Sequence, residues 1–126
     1  MYRAEIINSR TAIIYWFFTV SYMGIIFYLS SLEKIELPPL PENSDKLLHI
    51  CAYLFLALLT SFSLYKSGIK KYVLMLAFLI ATLYGISDEI HQAFVPGRDA
   101  GIDDVIADSI GASLGSILAG RVRVKK

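Results

Sequence analysis

The stretch Asp88-Glu89-Ile90-His91-Gln92-Ala93-Phe94-Val95-Pro96-Gly97-Arg98-Asp99-Ala100-Gly101-Ile102-Asp103-Asp104-Val105-Ile106-Ala107-Asp108-Ser109-Ile110-Gly111 decides how the chain folds. It holds Asp88, Glu89, Asp99, Asp103, Asp104 and Asp108, against one arginine, out of eleven carboxylates in the chain. Apolar runs flank it at 72–87 and 105–119. On insertion scales a carboxylate at mid-membrane costs about 2.5–3.5 kcal/mol. A chain that keeps several at the ends of apolar runs supplies partners for them or uses them. The stretch therefore reads as half of a polar site at one face of a membrane.

Working outward, the 126 residues bound a single domain, 1–126. Hydrophobic residues make up 56% and charged residues 18%, against roughly 45–50% and about 25% in a soluble domain. The excess lies in four runs, 11–32, 47–64, 72–87 and 105–119. A membrane span needs about 20 apolar residues. The first two runs suffice, and the last two reach that length when 88–92 and 102–104 join their helices. Four such runs leave too little polar surface for a water-soluble bundle. The expected fold is all-α: a polytopic membrane protein with a four-transmembrane-helix bundle, helices over about 11–32, 46–65, 71–93 and 103–120.

Charge orients the bundle. Arg3 and Arg10, then Lys66, Lys70 and Lys71, then Arg121, Arg123, Lys125 and Lys126 mark the N-terminus, the middle loop and the tail, with only Glu5 opposing them. The other two loops carry the remaining ten acids with Lys34, Lys46 and Arg98. Short basic loops stay cytoplasmic, so both termini are expected inside and both acidic loops outside a bacterial cytoplasmic (inner) membrane. Basic residues cluster only as membrane flanks, which leaves no nucleic-acid site. The first run is too long for a signal peptide and lacks a small-x-small cleavage site, so it reads as a retained span. Cys51 is the sole cysteine. It permits no internal disulfide or cysteine metal framework, and reads as a small buried apolar side chain.

The first helix carries aromatics for both interfaces but no charge, and is expected to anchor and contribute little chemistry. Pro38-Pro39-Leu40-Pro41 favours polyproline II. Asn43 or Ser44 can cap the second helix, with Asp45 in its first turn. Asp45 and His49 are spaced i, i+4 and share a face. In the third helix Gly85, Asp88, Glu89 and Gln92 fall within an arc of about 100°, the expected inward face. His91 lies just outside it and can join the site or face headgroups. Pro96-Gly97 is a turn signal. Arg98 can fork onto a carboxylate or phosphate, or neutralise Asp88, Glu89 or Asp104. Asp103 is a good N-cap for the fourth helix. Asp104 and Asp108 are i, i+4, with Gly111 and Gly115 continuing their face. Ala107, Gly111, Gly115 and Ala119 repeat at every fourth position and permit close helix approach, within the bundle or in a dimer. Asp108 is expected inside, against another helix.

Three helix ends and a turn thus bring Asp45, Lys46, His49, Asp88, Glu89, Gln92, Arg98, Asp104 and Asp108 to the outer face. His49, Asp88, Glu89 and Asp104 are the candidates for acid–base catalysis, if the protein is an enzyme. Asp45, Lys46, Gln92, Arg98 and Asp108 are the candidate ligand-binding residues, with Arg98 and Lys46 suited to an anionic group. Oxygen and imidazole ligands can also hold a divalent metal, although the spacings match no dedicated motif. No cofactor is fixed by the sequence. The same charges can instead form a salt-bridge cluster in a structural or accessory subunit. A small transporter component is the remaining alternative, opposed by the expected lack of polar residues toward the inner half.

The order Asp45-Lys46-x-x-His49, Asp88-Glu89-x-x-Gln92, Pro96-Gly97-Arg98, Asp104 and Asp108-x-x-Gly111 resembles the VanZ-like family of small bacterial membrane proteins, over about residues 29–115. The family's last motif usually has asparagine where this chain has Asp108, which adds a potential charge. The family takes its name from a protein associated with low-level resistance to the glycopeptide antibiotic teicoplanin. The resemblance implies a cell-envelope role and the nine residues above as its functional set. The lipid bilayer, and a lipid-linked or wall-precursor ligand, are the partners expected from this reading.

Overall fold

The computed structural model describes residues 2–32, 44–98 and 100–124, with backbone alone for 2–8 and 124. Pro38-Pro39-Leu40-Pro41 and Asn43 lie outside the described residues. The chain forms α1 (Tyr2–Ser31), α2 (Ser44–Lys66), α3 (Val73–Gln92) and α4 (Ile102–Val124). Each contains a segment long and apolar enough to cross a membrane, so this is an all-α, multi-pass membrane protein. α1 begins ahead of its apolar run, whereas α3 and α4 take in the polar residues 88–92 and 102–104.

Successive helices run antiparallel, and α2 packs on all three others. Local chemistry sets the joints. α2 ends where Gly68 takes φ +89°. The Gly68 N–H donates to the Tyr65 carbonyl and the Ile69 N–H to the Leu64 carbonyl, a Schellman closure of the last turn. Between α3 and α4, Pro96 fixes one turn position, Gly97 supplies φ +77° at the next, and Arg98 N–H donates back to the Val95 carbonyl. That is the geometry a Pro-Gly pair favours. Asp103 sits in the first turn of α4; Gly101 supplies the carbonyl that accepts the Asp104 and Val105 N–H groups. The N-cap expected at Asp103 therefore falls two residues earlier.

The bundle is apolar outside and polar within. Phe17 is 67% exposed and Leu83 63%, while Asp108 is fully buried. Hydrocarbon solvates the first kind of surface and strands the second, so the polar groups turn inward. Cys51 is exposed on the outer surface of α2, contrary to the buried position expected for it. As a weakly polar side chain it can face lipid at little cost.

Hydroxyls also line the half of the bundle remote from the acidic loops, where no polar residue was expected. Thr19, Thr60, Ser61, Ser63 and Ser116 are all buried. Thr19 and Ser63 share a 2.8 Å hydrogen bond. Thr60 donates to the Leu56 carbonyl of its own helix, and whichever of Thr19 and Ser63 accepts in their shared bond donates its own proton to its helix, at the Tyr15 or Leu59 carbonyl. Such back-bonding conceals a hydroxyl from hydropathy patterning.

The closest helix approach is along α2 and α4, at Gly111 and Gly115. A Cβ added at Gly111 would overlap the Ile50 carbonyl oxygen, and one at Gly115 the Leu54 carbonyl oxygen. The small-residue stripe thus serves the internal bundle. Backbone cannot rotate away as a side chain can, so Gly111→Ala and Gly115→Ala must separate the helices. Each is expected to destabilise the protein by at least about 1–3 kcal/mol in thermal unfolding in detergent. Gly24→Ala, where an added Cβ meets nothing within 4 Å, is expected to cost nothing and to raise stability by up to about 1 kcal/mol through helix propensity.

Candidate functional site

The α2–α4 contact sets the register of the site. Lys46 lies one turn above His49 on α2, and Asp104 one turn above Asp108 on α4. Lys46 Nζ binds Asp103 at 2.8 Å, contacts Asp104 directly, and reaches Asp45 at 3.5 Å. One turn deeper, His49 Nδ1 and Asp108 Oδ1 are 2.8 Å apart, while His49 Nε2 lies 3.9 Å from Asp104. Two charged rungs thus cross the same seam. Asp108 is about 9 Å along α4 from its first residue, at 1.5 Å per residue.

α3 closes the site from the other side. Asp88, Glu89 and Gln92 are buried, as their shared arc with Gly85 predicts. Gly85 is needed for the approach: an added Cβ would lie 2.9 Å from Asp108 Oδ2 and 3.2 Å from the Tyr53 ring. Ser30 Oγ donates to Asp88 at 2.8 Å, and the Gly101 N–H to Glu89 at 3.3 Å. These contacts leave Asp88 Oδ1, Glu89 Oε1, Asp108 Oδ2 and the Tyr53 hydroxyl buried with no hydrogen-bond partner among the described residues. His49, Glu89 and Asp108 each offer a ligand atom within 4.8 Å of the others. Beside this cluster is a cavity of about 170 Å³ with Ser30, His49, Tyr53, Asp88, Gln92 and Arg98 in its walls, and Ile26, Leu29, Leu48 and Ala52 as its apolar part.

The nine sequence-derived residues divide accordingly. Lys46, Asp104, His49 and Asp108 line the α2–α4 seam, and Asp88, Glu89 and Gln92 face it from α3. Asp45 points away, 69% exposed at its side chain, with Lys46 as its ion-pair partner. Arg98 lines the cavity but makes no salt bridge with the carboxylates among the described residues; its Nε donates to the Leu32 carbonyl and its Nη2 to the Leu29 carbonyl, both at 2.8 Å. Its fork closes the end of α1, whose last carbonyls lack partners within the helix. His91 pairs with Ser31 at 2.8 Å and stacks on Phe27 with ring centroids 4.4 Å apart. It braces α1 and stays out of the acid cluster.

α1 therefore contributes more than anchorage, which corrects the reading of it as chemically quiet. Ser30 satisfies Asp88, Ser31 holds His91, and two carbonyls hold Arg98. Ser30 and Tyr53 carry no charge and match no motif, so the sequence did not single them out. The available signal was the helix end itself, whose orphan carbonyls require a donor.

Lys46→Met is expected to lower stability by about 1–3 kcal/mol, because buried Asp104 loses its cation. Adding Asp104→Asn should restore part of that loss in thermal unfolding; simple additivity of the two would show that the bridge couples nothing. Arg98→Ala should cost about 1–3 kcal/mol through two lost charge-assisted bonds. Arg98→Lys should recover only part of it, because an ammonium lacks the planar fork.

A protein-family model described as VanZ/LLP1 matches residues 8–123 of the chain. A search of the curated proteins found no match, and neither did a search of the solved structures.

Proposed function

The chain belongs to the VanZ/LLP1 family, and from that premise we propose that it is a cell-envelope protein of the bacterial cytoplasmic membrane whose acidic end faces outward. There it binds the anionic headgroup of a lipid or lipid-linked wall precursor. The observation that carries this reading is the cavity, whose polar wall of Ser30, His49, Asp88, Gln92 and Arg98 adjoins the apolar wall of Ile26, Leu29, Leu48 and Ala52. An amphiphile needs that pairing where its headgroup meets its chain. The orientation rests on Lys66, Lys70, Lys71, Arg121 and Arg123 at the opposite end, which favour the cytoplasm. Resistance to teicoplanin, a drug that acts outside the cell, accords with an outward site.

The His49–Asp108 pair adds a route to chemistry. A carboxylate on Nδ1 orients the imidazole and leaves Nε2 to take or give a proton, the arrangement of many acid–base sites. The other reading is an accessory subunit whose charges only lock the bundle. It is favoured by Arg98 on the α1 carbonyls and by Lys46 on three aspartates, since both cations already have partners.

Mass spectrometry of extracted lipids and wall precursors separates the two. Cells lacking the protein, cells expressing it, and cells expressing His49→Ala at matched abundance would be compared. A species that changes with the intact protein and not with the variant is the expected outcome and names the substrate class. Three identical profiles would remove catalysis on envelope lipids and favour the accessory reading.

A further inference from the structure

The buried acids outnumber the cations available to them. Lys46 is engaged by Asp103 and Asp104 at the mouth, and Arg98 by the end of α1. Deeper in, Asp88, Glu89 and Asp108 converge with His49, among the described residues the one basic group near all three. Each of these acids has one oxygen in a hydrogen bond and one without, and the Tyr53 hydroxyl, 1% exposed, is likewise unpaired among the described residues. The cavity beside them holds Asp88 in its wall, and its Arg98 is already engaged by the end of α1, so an anionic headgroup there gains from a further positive charge.

We propose that His49, Glu89 and Asp108 form a binding site for a divalent transition-metal ion of the Zn²⁺ or Mn²⁺ class. The donor set is one imidazole and two carboxylates: the imidazole suits borderline Zn²⁺, the carboxylates suit Mn²⁺ as well, and Ca²⁺ and Mg²⁺ favour all-oxygen sets. One ligand atom from each residue already lies within 4.8 Å of the other two. Ligands at about 2.0–2.2 Å from a metal stand roughly 3–4 Å apart, so closing the cage takes about an ångström of side-chain movement. His49 Nδ1 and Asp108 Oδ1 stand 2.8 Å apart as a hydrogen bond; metal binding there displaces the shared proton and widens the spacing to about 3 Å. The three residues come from α2, α3 and α4, and Glu89 and Asp108 each keep one buried oxygen without a hydrogen-bond partner among the described residues.

Three protein ligands leave a coordination position for water or substrate, as in catalytic rather than structural metal sites. The ion's link to the cavity rests on the headgroup reading: it would supply the positive charge that a phosphate oxygen requires there. Metal binding itself is measured with no lipid present, so either idea can fail without the other.

The full-length protein, purified in detergent and stripped with chelator, would be titrated with ZnCl₂ and with MnCl₂. Bound metal is read by inductively coupled plasma mass spectrometry, and the fold by thermal unfolding. One equivalent of Zn²⁺ or Mn²⁺ per chain, with a rise in unfolding temperature, is expected. Loss of an outer-shell partner alone weakens metal sites about 10–100-fold, so Glu89→Gln and His49→Ala should each weaken binding at least about 100-fold. Asp108→Asn, nearly isosteric, serves if either variant fails to fold, and Gly24→Ala, remote from the site, should bind as the parent does. Substoichiometric uptake by the parent, or equal uptake by the parent and a folded ligand variant, overturns the site. Metal uptake alongside unchanged lipid profiles would keep the site and remove a catalytic role for it on envelope lipids.

Discussion

The structure depends on how closely α2 and α4 approach. Gly111 and Gly115 present bare backbone to the carbonyls of Ile50 and Leu54. Only at that separation can Lys46 reach Asp103 and Asp104, and His49 reach Asp108. A larger residue in the stripe would therefore disturb packing and chemistry together. Gly85 plays the matching part on α3, clearing room for the Tyr53 ring and the Asp108 carboxylate. Between membrane helices, water exclusion gives no drive to associate, and close contact and hydrogen bonds take its place. Here both are built from the same short stretches.

The polar groups make the arrangement specific. Apolar surface would be equally content against lipid or against another helix, so it says little about which faces should meet. A buried carboxylate discriminates sharply, because facing lipid unpaired costs several kcal/mol. Asp88 with Ser30, Glu89 with Gly101, and Asp108 with His49 therefore tie rotational position to chemistry. Among the described residues, oxygens are left over at this convergence, and a cluster serving stability alone gains nothing from half-satisfied acids; that is the ground for proposing a site here.

Much of this was legible in the sequence. Four apolar runs announced four spans, and the 100° arc of Gly85, Asp88, Glu89 and Gln92 announced the inward face of α3, because burial in a helix follows angular position directly. The i, i+4 pair Asp104 and Asp108 likewise foretold one face of α4. What escaped were groups whose role depends on distant backbone. Arg98 looked destined for an anion, and its charge alone could not reveal that the Leu29 and Leu32 carbonyls sit within reach. Ser30, Tyr53 and the buried threonines lacked any charge to mark them. Cys51 failed for the opposite reason: composition favours an interior position, but its angle on α2 turns it outward.

The end of α1 has a dependence of its own. At the acidic end it is tied by Ser30 to Asp88, by Ser31 to His91, and by two carbonyls to Arg98. Hydrogen bonds strengthen as their surroundings dry and weaken as they hydrate. These ties consequently respond together to local water activity, whereas Ile26, buried in apolar packing a turn deeper, does not depend on it in the same way. The last turn of α1 is thus a hydration-sensitive margin: thinning the bilayer here, or flooding the interface with water, would loosen it before the glycine seam between α2 and α4 is affected.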